Sequence, residues 1–450
     1  MMREYKRYDE YKDSNIEWIG EIPKSWSQSK YKYYFYSSMG NTILKEDLIV
    51  DGSIPIYSAT ESDDIFGYIN NANVLLNKND FVIPARGNSI GNVTLVTDDK
   101  ATCTQTTIYS KKVNKINSKY IYYYLDGLKD YLFNFTRTAI PQITVKQVSN
   151  NDILVPSRQE QQKIASFLDK KTAEIDEIIN KKESLIDHLE KYKKSVITEA
   201  VTKSKVGNKY INEDGELVNE IEMKDSGVEW IGEIPEYWDI KKVKHSFQVI
   251  NGSTPKTSNE SYWDGNIVWI TPADLDDNKK YISNSSRKIT FEGLNSCSTN
   301  LIPKNNLIIS SRAPIGYISI NKVEVSTNQG CKSLVKISDE NTEFYYYYFL
   351  SIRKVLNYYG NGTTFTELSA ADLSQVDIIS LNKNIQNIII NYLSEKTEEI
   401  DDFINKTKKS IDKYKEYKKS LIFEAVTGKI DLRDYELEGG EEIAEHNNSR

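Results

Sequence analysis

The chain has 450 residues, 39% hydrophobic and 27% charged, with a formal net charge of −7. That length predicts several domains with room for real cores, and no apolar run approaches the roughly 18 residues needed to cross a bilayer. Met1 to Glu10 is too polar for a signal peptide, and three scattered cysteines (Cys103, Cys297, Cys331) with three histidines exclude a disulfide framework or a zinc ribbon, so a reducing, cytoplasmic setting is expected. The acidity is local: residues 204–225 carry −3 and residues 431–450 carry −5, which leaves +1 for the rest of the chain. A basic binding face is therefore not excluded.

The chain is written twice. Asp13-Ser-Asn-Ile-Glu-Trp-Ile-Gly-Glu-Ile-Pro23 and Trp26 return as Asp225-Ser-Gly-Val-Glu-Trp-Ile-Gly-Glu-Ile-Pro235 and Trp238, an offset of 212. Leu168 to Asp176 returns at Leu393 to Asp401, and Glu199-Ala-Val-Thr202 at Glu424-Ala-Val-Thr427, both at an offset of 225. The second copy is thus 13 residues longer, inserted between Trp26 and Ile90. Units of this size are too long for a solenoid and indicate a duplicated domain pair.

In chain order, 1–156 is a first globular domain with its module at 27–155, and 157–203 is one long helix. An acidic linker is expected at 204–225 and a second globular domain at 226–381, with its module at 239–380. A second long helix at 382–430 and an acidic tail at 431–450 complete the chain. Short apolar stretches such as Asp80-Phe-Val-Ile-Pro84 and Asn306-Leu-Ile-Ile-Ser-Ser311, broken by turn residues, make the modules mainly β, with helices at 118–132 and 341–358. In the first long helix Leu168, Ile175, Lys182, Leu189 and Val196 recur every seven residues, with Ile164, Lys171, Ile178, Leu185 and Tyr192 between them. The second repeats this with Leu393, Ile400, Thr407, Tyr414 and Leu421, and with Ile389, Lys396, Phe403, Ser410 and Tyr417. The expected fold class is therefore α+β: two mainly-β globular domains joined by two long antiparallel coiled-coil helices, with a pseudo-two-fold internal repeat. Ser157 and Glu160 form a capping box, and Gly428 suits a helix end. A helix of about 45 residues spans about 68 Å, and its natural use is to hold two modules a fixed distance apart.

The sequence contains no phosphate-binding Gly-rich Lys loop, no paired His metal spacing and no nucleophile elbow. Gly360-Asn-Gly362 reads as a turn and Glu222-Met-Lys224 as linker. What remains suits binding. Arg86-Gly-Asn-Ser-Ile-Gly91 and Arg312-Ala-Pro-Ile-Gly316 stand at equivalent places, each after an apolar strand. Thr104-Gln105-Thr106-Thr107 and Thr327-Asn328-Gln329-Gly330-Cys331-Lys332 follow them. Arg grips guanine or phosphate, and Gln and Asn bridge adenine N6 and N7. Candidate DNA contacts are Arg86, Asn88, Ser89, Gln105 and Thr106 in the first copy and Arg312, Asn328, Gln329 and Lys332 in the second. Arg137, Thr138, Thr363 and Thr364, in loops after the aromatic helices, complete the set. For Arg86 and Arg312 a carboxylate partner inside the module is the equal alternative, and Ile-Gly reads as a strand turn. The runs Tyr120 to Tyr124 and Phe344 to Phe349 point all ways around a helix, so they read as core rather than as stacking platforms, and Trp18 and Trp230 as docking anchors.

The two GluTrpIleGlyGluIlePro blocks, the two β-rich modules with their Arg loops and the long helix opened by Pro156-Ser-Arg-Gln-Glu-Gln-Gln-Lys-Ile164 together resemble the specificity subunit of type I restriction-modification systems. The resemblance spans about residues 10–430. It implies two target recognition domains that each read one half of a bipartite double-stranded DNA sequence, and helices that set the spacer and dock two modification subunits. It implies that this chain is non-catalytic and holds no cofactor. S-adenosylmethionine would then belong to the adenine-N6 methyltransferase partners, and ATP and Mg to restriction subunits that translocate and cleave. The second copy departs from the pattern at Ser380-Leu-Asn-Lys-Asn-Ile-Gln386, so its helix is expected to be less well capped. The rival class is a coiled-coil adaptor whose modules bind protein or glycan.

Overall fold

A computed structural model describes residues 5–59, 65–87, 89–133, 142–276, 279–337, 339–360 and 367–436. The chain divides into two units, Met1–Glu183 with Lys408–Arg450, and Ser184–Thr407. Each contains one β-rich module and a stretch of both long helices. Among the described residues no helix is long and apolar enough to cross a membrane.

In the first unit the main sheet runs Phe35–Met39, Thr107–Lys112, Phe81–Pro84, Thr94–Leu95, all antiparallel. Phe81–Pro84 is buried at all four positions, as a continuous apolar run in an inner strand requires. A smaller sheet, Gly67–Ile69, Ile54–Tyr57, Thr102–Cys103, packs its own cluster of Ile54, Ile56 and Ile69. The second unit repeats the plan with a five-stranded sheet: Phe247–Asn251, Cys331–Lys336, Leu307–Ser310, Ile318–Asn321, Tyr281–Ile282. Its smaller sheet orders Arg287–Ile289, Trp263–Ile270, Val325–Thr327. The extra residues of the second copy lie here, where the eight-residue strand Trp263–Ile270 replaces the four-residue Ile54–Tyr57 and a short helix, Phe291–Asn295, follows.

The aromatic runs fold into helices Ser118–Gly127 and Thr342–Ser351 and turn inward. Tyr120 and Tyr124 donate to the carbonyls of Leu154 and Asp152, and Tyr345 and Tyr348 to those of Ile379 and Asp377. A buried phenol needs such an acceptor, and these four tie each helix to the strand that leads into a long helix. The rings are core, as the sequence reading expected. Trp18 stacks on Tyr131 at 4.7 Å, and Trp230 lies 6.5 Å from Tyr348, both half-buried anchors.

The long helices run Arg158–Lys203 and Lys383–Val426 and pair antiparallel within each unit. In the first unit Lys418 clasps both carboxylate oxygens of Asp176 at 2.6 and 2.8 Å. In the second, Lys193 clasps Asp401 at 2.6 and 2.7 Å, and the two pairs are the same pair repeated at the offset of 225. Half of the expected seam is correct. Leu168, Ile175, Val196, Leu393, Ile400 and Leu421 are buried, as are Ile164 and Ile389 of the alternating set, but Ile178, Leu185, Tyr192 and Phe403 of that set are 36%, 39%, 50% and 49% exposed. The inward positions instead follow four residues after each of the first set: Thr172, Ile179, Ala200, Thr397, Ile404, Ile411 and Ala425 are buried, and Thr407 with them. The threonines made this invisible. Thr172, Thr397 and Thr407 return their hydroxyls to the carbonyls of Leu168, Leu393 and Phe403 at 2.6–2.8 Å, so a polar residue sits in the seam with no unmet donor.

Helix starts differ between the copies. Ser157 and Glu160 exchange bonds of 3.2 Å in the expected capping box. The second long helix, expected to be less well capped, has its own cap: the Asn382 side chain accepts from the Asn384 N–H at 2.7 Å. The stretch 204–225, expected as an acidic linker, is folded. Lys205–Val206, Lys209–Ile211 and Leu217–Val218 form a three-stranded sheet, Ile211 is fully buried, and Tyr237 donates to its carbonyl. Of the acidic tail, Asp431 and Arg433 pair at 2.7 Å and the Asp431 N–H bonds the Lys6 carbonyl, while 437–450 lie outside the described residues.

Burial decides the thiol chemistry. It pushes Cys103 up to about 11 and Cys331 still higher, whereas Cys297 is half-buried. A thiol reagent at pH 8 is expected to modify one cysteine in the native chain and three in denaturant. Rapid native labelling of Cys103 or Cys331 would show that the module cores open.

Candidate nucleic-acid interface

The two modules build the same tip at one end of the main sheet. The strands Phe81–Pro84 and Leu307–Ser310 end just before Arg86 and Arg312. Neighbouring backbone bonds, Ala85 N–H to Thr106 and Ser311 N–H to Gly330, hold each Arg beside the turn that carries Gln105 or Gln329. A third segment closes the tip. After Phe35–Met39 and Phe247–Asn251 the chain turns through Gly40-Asn-Thr42 and Gly252-Ser-Thr254. It passes so close to the Gln turn that a Cβ on Gly40 would stand 2.3 Å from the Thr104 carbonyl, and one on Gly252 2.1 Å from that of Asn328. Only glycine permits this approach. As a result Thr42 donates its hydroxyl to Gln105 Oε1 at 2.7 Å and Thr254 to Gln329 Oε1 at 2.5 Å.

The arginines share a position and differ in partner. Arg312 Nε bonds Glu367 Oε2 at 2.9 Å, and Glu367 Oε1 takes Lys332 Nζ at 3.1 Å. Burial works against the Glu367 carboxylate, but Lys332 and Arg312 hold its carboxyl below the usual range. In the first module the backbone bridge that joins Arg312 to Glu367 joins Arg86 to Gln142, and Ile108 takes the register place of Lys332. Arg86 is exposed, and among the described residues no carboxylate pairs with it. The two readings of the Arg thus separate: an internal carboxylate holds Arg312 and leaves Arg86. Among the described residues the first tip thus offers Arg86, and the second Arg312 and Lys332 against Glu367.

The other candidates divide. Thr106 shares a hydroxyl bond of 2.9 Å with Thr104, and the Asn328 side chain accepts from the Gly330 N–H at 3.0 Å, which shapes the turn from inside. Ser89 is 3% exposed and Lys332 4%, so neither lies on the surface where they were expected. Lys332 is inside because Glu367 and the Gln329 carbonyl hold its ammonium. Asn88, Arg137, Thr138, Thr363 and Thr364 lie outside the described residues. The Ile-Gly dipeptides are turns: Gly91 and Gly316 have φ of +79° and +88°, and their N–H groups return to Pro84 and Ser310. Sequence reasoning missed Thr42, Thr254 and Glu367. The first two carried a signal, a Gly-x-Thr triplet repeated at the same offset of 212 as the Trp blocks; Glu367 carried none. Among the described residues no group of three or more His, Cys, Asp or Glu side chains could hold a metal ion.

Comparison with known proteins agrees with this duplicated layout. A family model described as type I restriction modification DNA specificity domain matches residues 23–188 and 235–436. The sequence is 38% identical over 182 residues to the type I restriction enzyme MjaIX specificity subunit of Methanocaldococcus jannaschii, a match covering 40% of this chain and 41% of that protein. It is 23% identical over 450 residues to the MjaVIII specificity subunit of the same organism, covering 94% and 98%. The chain thus spans less than half of the first relative and nearly all of the second. A solved structure reported under "Structural basis underlying complex assembly and conformational transition of the type I R-M system" aligns with a TM-score of 0.70 at 14% identity, over 91% of this chain and 99% of that one, and shares the fold.

Proposed function

This chain belongs to the type I restriction modification DNA specificity family, and from that premise we propose that it is the non-catalytic, sequence-reading subunit of a restriction-modification complex. Each module reads one half of a bipartite target in double-stranded DNA. The long helices fix the spacer between the halves and dock two modification subunits, which supply S-adenosylmethionine and the adenine-N6 chemistry, while restriction subunits add ATP- and Mg-dependent cleavage. The observation that carries this reading is the repeated tip, in which Arg, Gln and a Gly-backed Thr meet at the same edge of two otherwise divergent modules. Arg and Gln are the side chains that form paired hydrogen bonds with base edges in the major groove. Apolar side chains left outside the seam support docking: Ile178 in the first unit, and Leu185, Tyr192 and Phe403 in the second. Exposed apolar residues on a long helix are suited to a protein partner.

Methylome sequencing of cells that co-express this chain with a matching modification subunit tests the reading. A bipartite adenine-methylated motif is expected, and deletion of residues 27–155 should abolish recognition of one half. Absence of any bipartite motif would overturn it. The near-neutral modules predict weak DNA binding by the isolated chain, with affinity that falls steeply with salt. An adaptor that binds protein or glycan would show no such salt slope on DNA.

A further inference from the structure

We propose that Gln105 and Gln329 read the same base, an adenine, one in each half of the target, and that Thr42 and Thr254 fix the carboxamide edge that does so. This rests on the DNA-reading function above. A glutamine amide can turn over and exchange its oxygen for its nitrogen, and only one orientation matches adenine, whose N6 donates and N7 accepts. In both modules the carboxamide stands with Oε1 toward a threonine hydroxyl that donates to it, at 2.7 and 2.5 Å, and this is the orientation that reads adenine. Oε1 keeps a second lone pair for the adenine N6–H, and Nε2 keeps its hydrogens for N7. Both glutamines are exposed, and each threonine is placed by a glycine packed against the backbone of the Gln turn.

The contrast with the adjacent residues assigns the pair its role. Around it the modules differ: Arg312 is engaged by Glu367 where Arg86 faces Gln142, and Lys332 replaces Ile108. Those positions can distinguish the two half-sites. The Thr and Gln pair is the part of the tip that does not change, so it serves a base common to both halves.

The test uses the full chain with its modification subunit. With the wild-type chain each half of the methylated motif should contain a fixed A·T pair in addition to the one that is methylated. Gln105→Ala should relax that pair in one half only, and Gln329→Ala in the other, with a loss of discrimination of roughly 5- to 150-fold. Thr42→Val and Thr254→Val should relax the same positions less, and Thr42→Ser, which keeps the hydroxyl, should behave as wild type. In duplexes, 7-deazaadenine at that position removes the N7 acceptor; it should weaken binding by the wild-type complex and leave the Gln105→Ala complex indifferent. Thermal unfolding of each variant guards against a folding defect, because the pair is on the surface. If Gln105→Ala lowers methylation without relaxing any position, or relaxes a position that is not adenine, the proposal falls while the bipartite reading stands. If the wild-type chain yields no bipartite motif, the underlying reading falls instead.

Discussion

Glu160→Ala is expected to destabilise the first unit by about 3–5 kcal/mol, more than any other single carboxylate substitution in that unit. Glu160 is 9% exposed and serves three partners at once. One oxygen accepts the Ser157 N–H at 3.2 Å and completes the helix cap; the other accepts from Tyr8 Oη and Trp26 Nε1, both at 3.3 Å. Burial and the Glu160 charge push the Tyr8 phenol up, so it stays protonated and remains a donor. Loss of the cap costs about 1 kcal/mol, and each buried donor left unmet about 1–3 kcal/mol. Against the roughly 5–15 kcal/mol that holds a domain together, that is a large share. Urea unfolding should show an earlier transition, and amide exchange should rise around Tyr8, Trp26 and the first turn of the helix while the second unit is unchanged. Glu160→Gln, which keeps a carbonyl acceptor, should recover most of the loss. The second unit shows what the anchor replaces: Ile385 stands at the equivalent position, and the buried Trp238 Nε1 has no partner among the described residues. A shift for Glu160→Ala no larger than the 0.5 kcal/mol typical of surface changes would refute the anchoring role.

Gly252→Ala should remove sequence reading by the second module, and Gly40→Ala by the first, each without unfolding the chain. A methyl group 2.1 or 2.3 Å from a backbone carbonyl cannot be accommodated by a side-chain shift, so the loop must move away from the Gln turn. Overpacking of this kind costs about 1–3 kcal/mol, and the displaced loop takes Thr42 or Thr254 out of reach of its glutamine. Circular dichroism should be unchanged, thermal unfolding slightly lowered, and one half of the methylated motif lost. Ser253→Ala is the control, since its bonds in the loop, to Thr327 and from Trp269, are made by its backbone. Full retention of both half-sites in Gly252→Ala would show that this loop takes no part in recognition.

The local features were legible in the sequence because they depend on neighbours along the chain. The heptad of Leu168, Ile175 and Val196, the Ser157 and Glu160 cap, the inner strand Phe81–Pro84 and the aromatic helices each follow from spacing over a few residues. The duplication was legible too, since a repeat needs no fold to be seen. Half of the seam was hidden because Thr172, Thr397 and Thr407 look polar in a sequence and satisfy themselves in a helix. The segment 204–225 looked like a linker because its charge masks the three short strands around Ile211.

Residue order alone shows two copies of a β-rich module and a long helix, with Arg and Gln at matching places. What those residues are free to do follows from the partners that the fold brings to them. Glu367 reaches Arg312 across 55 residues of chain and Thr42 reaches Gln105 across 63, and pairings of that range are set by which strands become neighbours. Composition and spacing cannot specify them, because a side chain's availability depends on the partner that the fold brings to it.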